Sequence, residues 1–165
     1  MMTSNIYIED INIIKKYINE SMSLLGDIEK EILQLETSSY DTVLYDELYE
    51  KIKNISRGAS FFGLQALTRI TFEMKFILKR IRSRSGTAIS EHIDNLLLAY
   101  DFLISYINRL SGVLNDKGLY GKEFDNYIEF ATDTKEDQTL ETLEKIHISY
   151  EAETVKGLNE QEATK

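Results

Sequence analysis

Apolar residues recur at steps of three and four positions along the first part of the chain. Over residues 8–36 this spacing aligns eight apolar side chains, and such a period predicts one long amphipathic helix. Gly26 lies inside this segment and lowers its helix propensity without ending it. The side chains expected to face inward are Ile11, Ile14, Ile18, Met22, Leu25, Ile28, Ile32 and Leu35.

The same period returns in three further segments. It predicts helices over residues 43–60, over residues 64–82 and from Ser90 onward, where Ser90 is a suitable N-cap and Glu91 places an acid in the first turn. Their expected core residues are Leu44, Leu48, Ile52, Ile55 and Ala59; Leu67, Ile70, Met74, Ile77 and Ile81; and Ile93, Leu97, Tyr100, Ile104 and Ile107, with Leu96, Leu103 and Leu110 beside them.

Four amphipathic helices joined by short polar links cannot each bury an apolar stripe alone. An antiparallel up-down four-helix bundle is the simplest arrangement that buries all four, so we expect an all-α fold. The absence of proline from the chain is consistent with long uninterrupted helices.

The pattern changes after Asn115. Glycines and aromatic residues over 118–130 suggest a short fifth helix that docks on the bundle. We therefore expect residues 1–131 to form one helical domain. Residues 132–165 contain many acids and few large apolar side chains, which predicts an acidic tail or linker, locally helical over 140–148 and mostly disordered at its end.

Composition excludes several classes of function. The net charge of −9 argues against general nucleic-acid binding. With no cysteine there is no thiol nucleophile, disulfide or Cys-ligated metal site. No apolar run approaches the length that spans a bilayer, and the first residues do not resemble a secretory signal. We expect a cytoplasmic protein that does not bind membranes.

Charge is distributed unevenly along the chain. Residues 46–84 contain nine Lys or Arg and four Asp or Glu, so the second and third helices carry a local excess of positive charge in an acidic protein. This asymmetry suggests a charged docking surface. The alternative is an ordinary solvated helix face.

Residues 48–64, LYEKIKNISRGASFFGL, resemble the signature of histidine phosphotransfer (Hpt) domains. In that family a histidine, an apolar position, a lysine, small residues and a turn glycine follow one another at fixed spacing. Here Ile55 is the apolar position, Ala59 the small residue and Gly63 the turn glycine. The segments over 17–36 and 93–101 are similar to the first and fourth helices of the phosphotransfer domain of CheA-type chemotaxis kinases, so the resemblance covers about residues 8–112.

The chain departs from the family where the family does its chemistry. Lys53 stands where the resemblance places the phosphoacceptor histidine, and Ser56 and Arg57 stand where a lysine and a glycine are expected. Lys75 replaces the glutamate of the third helix that orients the histidine ring. Phosphotransfer needs a neutral imidazole nitrogen as nucleophile, and a lysine ammonium has no lone pair. The resemblance thus implies an Hpt-like domain that cannot accept phosphate at this position.

What remains is a surface suited to docking. In Hpt domains small residues near the histidine let a receiver domain approach closely, and here Gly58, Ala59 and Ser60 provide such a patch, although they also suit a helix end packed against its neighbour. Phe61 or Phe72 would be a protein contact if exposed. The predicted docking face consists of Lys53, Arg57, Gly58, Ala59, Ser60, Lys75, Lys79 and Arg82.

No other constellation in the sequence predicts catalysis. The two histidines, His92 and His147, are expected to be ordinary exposed side chains, and neither belongs to a recognisable metal motif. There is no glycine-rich phosphate loop and no kinase nucleotide-binding motif. We expect no enzyme activity, no cofactor and no bound metal.

Three functions remain open at this point. The first is a binding module of two-component or chemotaxis signalling that docks a response-regulator receiver domain or a histidine kinase. The second is a phosphotransfer segment of a larger histidine kinase. The third is a structural or dimerisation bundle, and the sequence leaves the oligomeric state undetermined.

Overall fold

The described part of the chain is entirely helical. A computed structural model describes residues 8–83, 89–115 and 138–163, with side chains described over 12–83, 89–114 and 138–160, and it contains no strand in these ranges. The all-α prediction is confirmed. The helices are α1 (Ile8–Thr37), α2 (Thr42–Phe61), α3 (Gln65–Ser83), α4 (Ile89–Asn115) and α5 (Gln138–Ala163). The predicted short helix over 118–130 lies outside the described residues.

Each of the first four helices contacts two of the others. α1 packs against α2 and α4, and α3 packs against α2 and α4, so the four helices close a ring around one core. The predicted inward residues of α2 and α3 are all buried. Burial of apolar side chains is the main favourable term in folding, so this shared core holds the ring together.

The pattern was wrong at one position of α1 and partly wrong in α4. Met22 is 40% exposed, whereas Ser21 is buried. The buried positions of α1 alternate steps of four and three throughout, and this alternation passes through residue 21, not 22. In α4, Leu97 and Ile104 are only half-buried, and the core is centred instead on Leu96, Leu103 and Leu110.

The connection from α2 to α3 is only three residues long. Gly63 has a φ of +70°, and the N–H groups of Gly63 and Leu64 donate to the carbonyls of Ser60 and Ala59 at 3.2 and 2.8 Å. This is a Schellman C-cap, which satisfies the last carbonyls of α2 and needs a residue that tolerates the left-handed region. At the other end of α2, the Asp41 carboxylate accepts a hydrogen bond from the Leu44 N–H at 3.0 Å.

The segment over 132–165, expected to be an acidic tail that is helical over 140–148 and mostly disordered at its end, forms a helix over Gln138–Ala163. α5 has 26 residues, and its first half packs on α3 and α4 through buried Leu140, Leu143 and Tyr150. These side chains lie at helical spacing on one face, but the acidic residues between them hid the pattern. Residues 151–160 are exposed. The predicted boundary between residues 131 and 132 stays a prediction.

The α2–α3 turn gives a direct test of this local geometry. Gly63→Ala should lower the free energy of unfolding by about 1 kcal/mol, because a Cβ is disfavoured at positive φ. Urea denaturation followed by circular dichroism measures the change. Gly26→Ala is the matched control: nothing lies within 4 Å of a Cβ built at Gly26, so alanine in this helix interior should leave stability unchanged or raise it. Equal effects of the two substitutions would contradict the described turn.

Candidate docking surface

The registration of α2 against α3 is visible where α2 begins and α3 ends. The Arg82 guanidinium donates to the Asp46 carboxylate at 3.1 Å and lies over the Tyr45 ring at 4.9 Å from its centroid. Burial raises the pKa of Tyr45, although the nearby Arg82 cation offsets part of this effect. Residues 46 and 82 therefore face one another across the two helices.

Helical periodicity carries this registration to the centre of the pair. Residues seven apart lie on the same face of a helix. Lys53 is seven positions after Asp46, and Lys75 is seven positions before Arg82. Because consecutive helices joined by a short turn run in opposite directions, Lys53 and Lys75 lie on the faces of α2 and α3 that flank the same groove. This geometry brings like charges together on adjacent helices.

Cations dominate the solvent side of this groove. The Lys53 side chain is 38% exposed, and its Nζ lies 3.6 Å from the exposed carboxylate of Glu50 on the same helix. Lys75 is half-buried, and Arg57 and Lys79 are exposed. An exposed pair such as Lys53–Glu50 contributes little stability, so these cations remain accessible to a partner. We call the surface formed by Lys53, Arg57, Ser60, Lys75 and Lys79 the α2–α3 surface.

An aromatic side chain lies at the end of the α2–α3 surface. Phe61 is 79% exposed and meets the ring of buried Phe62 edge-on, with centroids 5.0 Å apart. Phe72 is 55% exposed and stacks on His147 of α5 at 5.8 Å, so it is engaged by α5, although Lys79, seven positions later, shares its face of α3. Of the two aromatics considered from the sequence, Phe61 is the more exposed.

Two predicted members of the site are not accessible. Ala59, placed on the docking face, is fully buried, and Ser56 is 8% exposed. Both follow from the period of α2, whose inward face runs through Ile52, Ile55 and Ala59. These residues support the surface from within and cannot contact a partner.

Gly58 also has a packing role. A Cβ built on it would overlap the ring of Tyr17 from α1, and the Tyr17 hydroxyl donates to the Ile55 carbonyl. Burial raises the pKa of Tyr17 to about 12, despite hydrogen bonds with Ser21 and the Ala59 backbone. The missing side chain at Gly58 therefore lets α1 approach α2, so this glycine does not simply expose a patch to solvent.

A second contact fixes α2 on α1. The Lys51 ammonium donates to the carboxylate of Glu31, which is 8% exposed. This hydrogen bond raises the pKa of Lys51, with burial acting in the opposite direction. Lys51 thus points toward α1 and away from the α2–α3 surface.

The basic excess of residues 46–84 is divided among three faces. Lys51 pairs with Glu31 on the α1 side. Arg69 and Arg80 pair with carboxylates of α5, so they hold that helix and leave the docking surface without their charge. Arg82, predicted as a docking residue, is exposed but already engaged by Asp46 and Tyr45. Arg84 lies outside the described residues, and among the described cations of this segment those that remain for docking are the ones of the α2–α3 surface.

Both histidines differ from their predicted environment. His92 is 1% exposed and lies edge-on to the Tyr150 ring at 5.0 Å. His147 packs against α3, where its Nδ1 lies 2.6 Å from Glu73 Oε2. Both predictions of an exposed surface histidine were wrong, because the docking of α5 was not expected. Nothing in the local sequence indicates the contact between residues 73 and 147. The contact of His147 with Glu151 could have been predicted, because residues four apart on a helix lie next to one another.

The described residues contain no group of three or more His, Asp or Glu side chains placed to hold a metal ion. None of the helices in the described ranges is both long and apolar enough to cross a membrane.

Comparison with known proteins adds no identification. The chain has no significant match among protein-family models, curated proteins or solved structures. The similarity to Hpt domains therefore stays a prediction from the motif over residues 48–64.

The close approach of α1 and α2 predicts a steric effect at Gly58. Gly58→Ala should lower the free energy of unfolding by about 1–3 kcal/mol, as expected for overpacking, since the new methyl group overlaps the Tyr17 ring. Chemical denaturation measures the loss. In the Tyr17→Leu background the added cost of Gly58→Ala should be much smaller. An equal cost in both backgrounds would show that the tyrosine ring is not the obstacle.

Proposed function

We propose that this chain is a non-phosphorylatable Hpt-like docking module that binds the receiver domain of a response regulator through the α2–α3 surface. The ring of contacts among α1–α4 supports an antiparallel four-helix bundle of the Hpt kind. The single observation that carries the proposal is the accessible Lys53 of α2 beside the groove that also presents Lys75 of α3.

The chemistry of this position favours docking over transfer. In Hpt domains a neutral imidazole stands here with a carboxylate that orients it. This chain has an ammonium group at each of the two positions, and an ammonium is not a nucleophile. Lysine at both positions makes the site positively charged. The contacts of Tyr17 and Lys51 with neighbouring helices still hold α2 in place.

A receiver domain has the matching character, since such domains present a cluster of acidic side chains around the aspartate that accepts phosphate. Four cations on one surface provide complementary charge, which steers association and selects the partner. Phe61, exposed at the end of the surface, adds the kind of aromatic contact that contributes strongly to binding when it becomes buried.

Charge reversal at the centre of the surface tests the proposal. Lys53→Glu should weaken binding to a receiver domain from the same cell by about tenfold or more, or ~1.4 kcal/mol, because it places like charges together. Isothermal titration calorimetry measures the affinity, and raising the salt concentration should weaken wild-type binding.

Lys16→Glu is the matched control. Lys16 is an exposed lysine of α1 that pairs only loosely with Glu20, at 3.9 Å, and the substitution makes the same change in charge away from the α2–α3 surface. It should leave the affinity nearly unchanged. Equal losses in the two variants would indicate a non-specific charge effect, and unchanged binding by Lys53→Glu would refute the proposed surface.

A phosphorylation assay separates docking from relay. Incubated with a CheA-type kinase and radiolabelled ATP, the chain should remain unlabelled, because Lys53 has no lone pair to attack a phosphoryl group. A separate Hpt domain with an intact histidine is the positive control. Acid-labile label on this chain would contradict the assignment as a non-phosphorylatable module and favour the phosphotransfer segment of a larger kinase.

A further inference from the structure

His147 lies between two carboxylates and against an aromatic ring. Its Nδ1 is 2.6 Å from Glu73 Oε2 on α3, and its Nε2 is 3.1 Å from Glu151 Oε1 on α5. The imidazole is stacked on Phe76 with ring centroids 3.7 Å apart and planes inclined by 9°. We call Glu73, His147 and Glu151 the α5 triad.

The proton count of the triad follows from this geometry. A neutral imidazole has one N–H and donates to only one carboxylate. Satisfying both contacts requires one more proton, carried on the ring or on one of the two carboxyl groups. Without it, an imidazole lone pair faces a carboxylate oxygen at 2.6 or 3.1 Å, which is repulsive.

Burial makes this proton important. The Glu73 side chain is 9% exposed and the His147 side chain 14%, whereas Glu151 is 63% exposed. A buried carboxylate is costly unless a cation or a hydrogen-bond donor compensates it. Arg69, whose cation also acts on the Glu73 carboxylate, is engaged by Glu144 of α5.

We propose that protonation of the α5 triad controls how tightly α5 is held against α3. When the triad binds its extra proton, both carboxylates are satisfied and α5 stays docked. When the proton leaves, Glu73 is a poorly compensated buried charge, and the first half of α5 opens more often. This inference does not depend on the proposed docking function.

The direction of the pH effect follows from the shifts in pKa. Burial lowers the pKa of His147, but the hydrogen bonds that its ring donates to the Glu73 and Glu151 carboxylates outweigh burial and raise the pKa overall. Burial raises the pKa of Glu73, with His147 offsetting part of the effect. Docked α5 therefore binds the proton more tightly than free α5. The proton's contribution to the stability of docked α5 is complete below the ordinary histidine pKa of about 6.5. It is lost as the pH rises through the raised pKa of the docked state.

Arg80 of α3 and Glu91 of α4 each have partners of their own on α5 and do not replace the triad. On α3, Arg80 donates to the Tyr150 carbonyl at 3.2 Å and faces Glu153 at 3.4 Å, and an arginine stays charged throughout this range. On α4, the Glu91 carboxylate accepts from the Tyr150 hydroxyl at 3.3 Å. The imidazole of His92, also on α4, lies edge-on to the Tyr150 ring, with centroids 5.0 Å apart.

Amide hydrogen exchange in the intact chain tests whether α5 opens more often as the pH rises. The protection factors of residues 141–150, each corrected for the intrinsic exchange rate at that pH, should fall severalfold between about pH 6 and about pH 9. Protection in the middle of α2 should change far less, which distinguishes release of α5 from global loosening. Protection factors of α5 that do not change with pH would overturn the proposal.

Variants identify the group responsible. His147→Gln should abolish the pH-dependent step, and Glu151→Gln should reduce it. Lys145→Gln removes a charge from the same stretch of α5, at an exposed residue paired only with Glu141, and should retain the full step. Circular dichroism confirms that each variant is folded. A full step in His147→Gln would exclude the triad as its cause.

Direct titration of His147 in the wild-type chain tests the proposal even if a variant fails to fold. The ring nitrogens of the two histidines can be followed by long-range ¹H–¹⁵N correlation spectra of the wild-type chain, and the missing signal in His147→Gln assigns them. The apparent pKa of the His147 signal should lie above the ordinary value of about 6.5. An apparent pKa at or below that value would contradict the proposal even if α5 opened with pH for another reason.

Discussion

The registration of α2 against α3 is the constraint on which the candidate docking surface depends. It is held at one end by the three-residue turn at Gly63 and at the other by the contact of Arg82 with Asp46. Between these points, two helices packed through buried apolar faces have little freedom to slide, because a shift by one residue would rotate core side chains toward solvent. This registration places Lys53 and Lys75 beside the same groove.

The polar contacts around this pair of helices sort its charges by face. Lys51 is used against α1 and Arg80 against α5, while Lys53, Arg57 and Lys79 remain toward solvent. The sequence of this helix pair is rich in cations, but the structure leaves only some of them accessible. An aromatic residue lies at one end of that accessible set. α3 contributes to both the docking surface and the α5 triad, but through opposite sides.

The sequence was sufficient for the parts of the structure that depend on local periodicity. The first three helices begin and end within one residue of their predicted limits, and the fourth begins within one residue of its predicted start. Every residue predicted to face inward on α2 and α3 is buried, although Tyr45, Ala66 and Leu78 are buried there as well. Periodicity also explains the error in α1. Met22 was predicted to face inward, but Ser21 is the residue that continues the alternating steps of four and three. Ala59 was placed on the docking face for its small size, although the same period places it in the core.

Long-range pairing was beyond the sequence. The contact of His147 with Glu73 joins positions 74 residues apart, and nothing local to either residue indicates it. The packing of α5 rests on a few large side chains in an acidic segment, which composition alone assigns to a tail. The contact of Gly58 with Tyr17 likewise depends on how closely two helices approach, and a pattern of apolar positions does not specify that distance.

The most direct test of the central claim is a map of the bound surface. Adding an unlabelled receiver domain to the ¹⁵N-labelled chain should shift backbone amide resonances mainly around Lys53, Arg57, Lys75 and Lys79, with little change on α1 and α4. Shifts concentrated on another face, or no shifts with receiver domains that bind intact Hpt domains, would contradict the account.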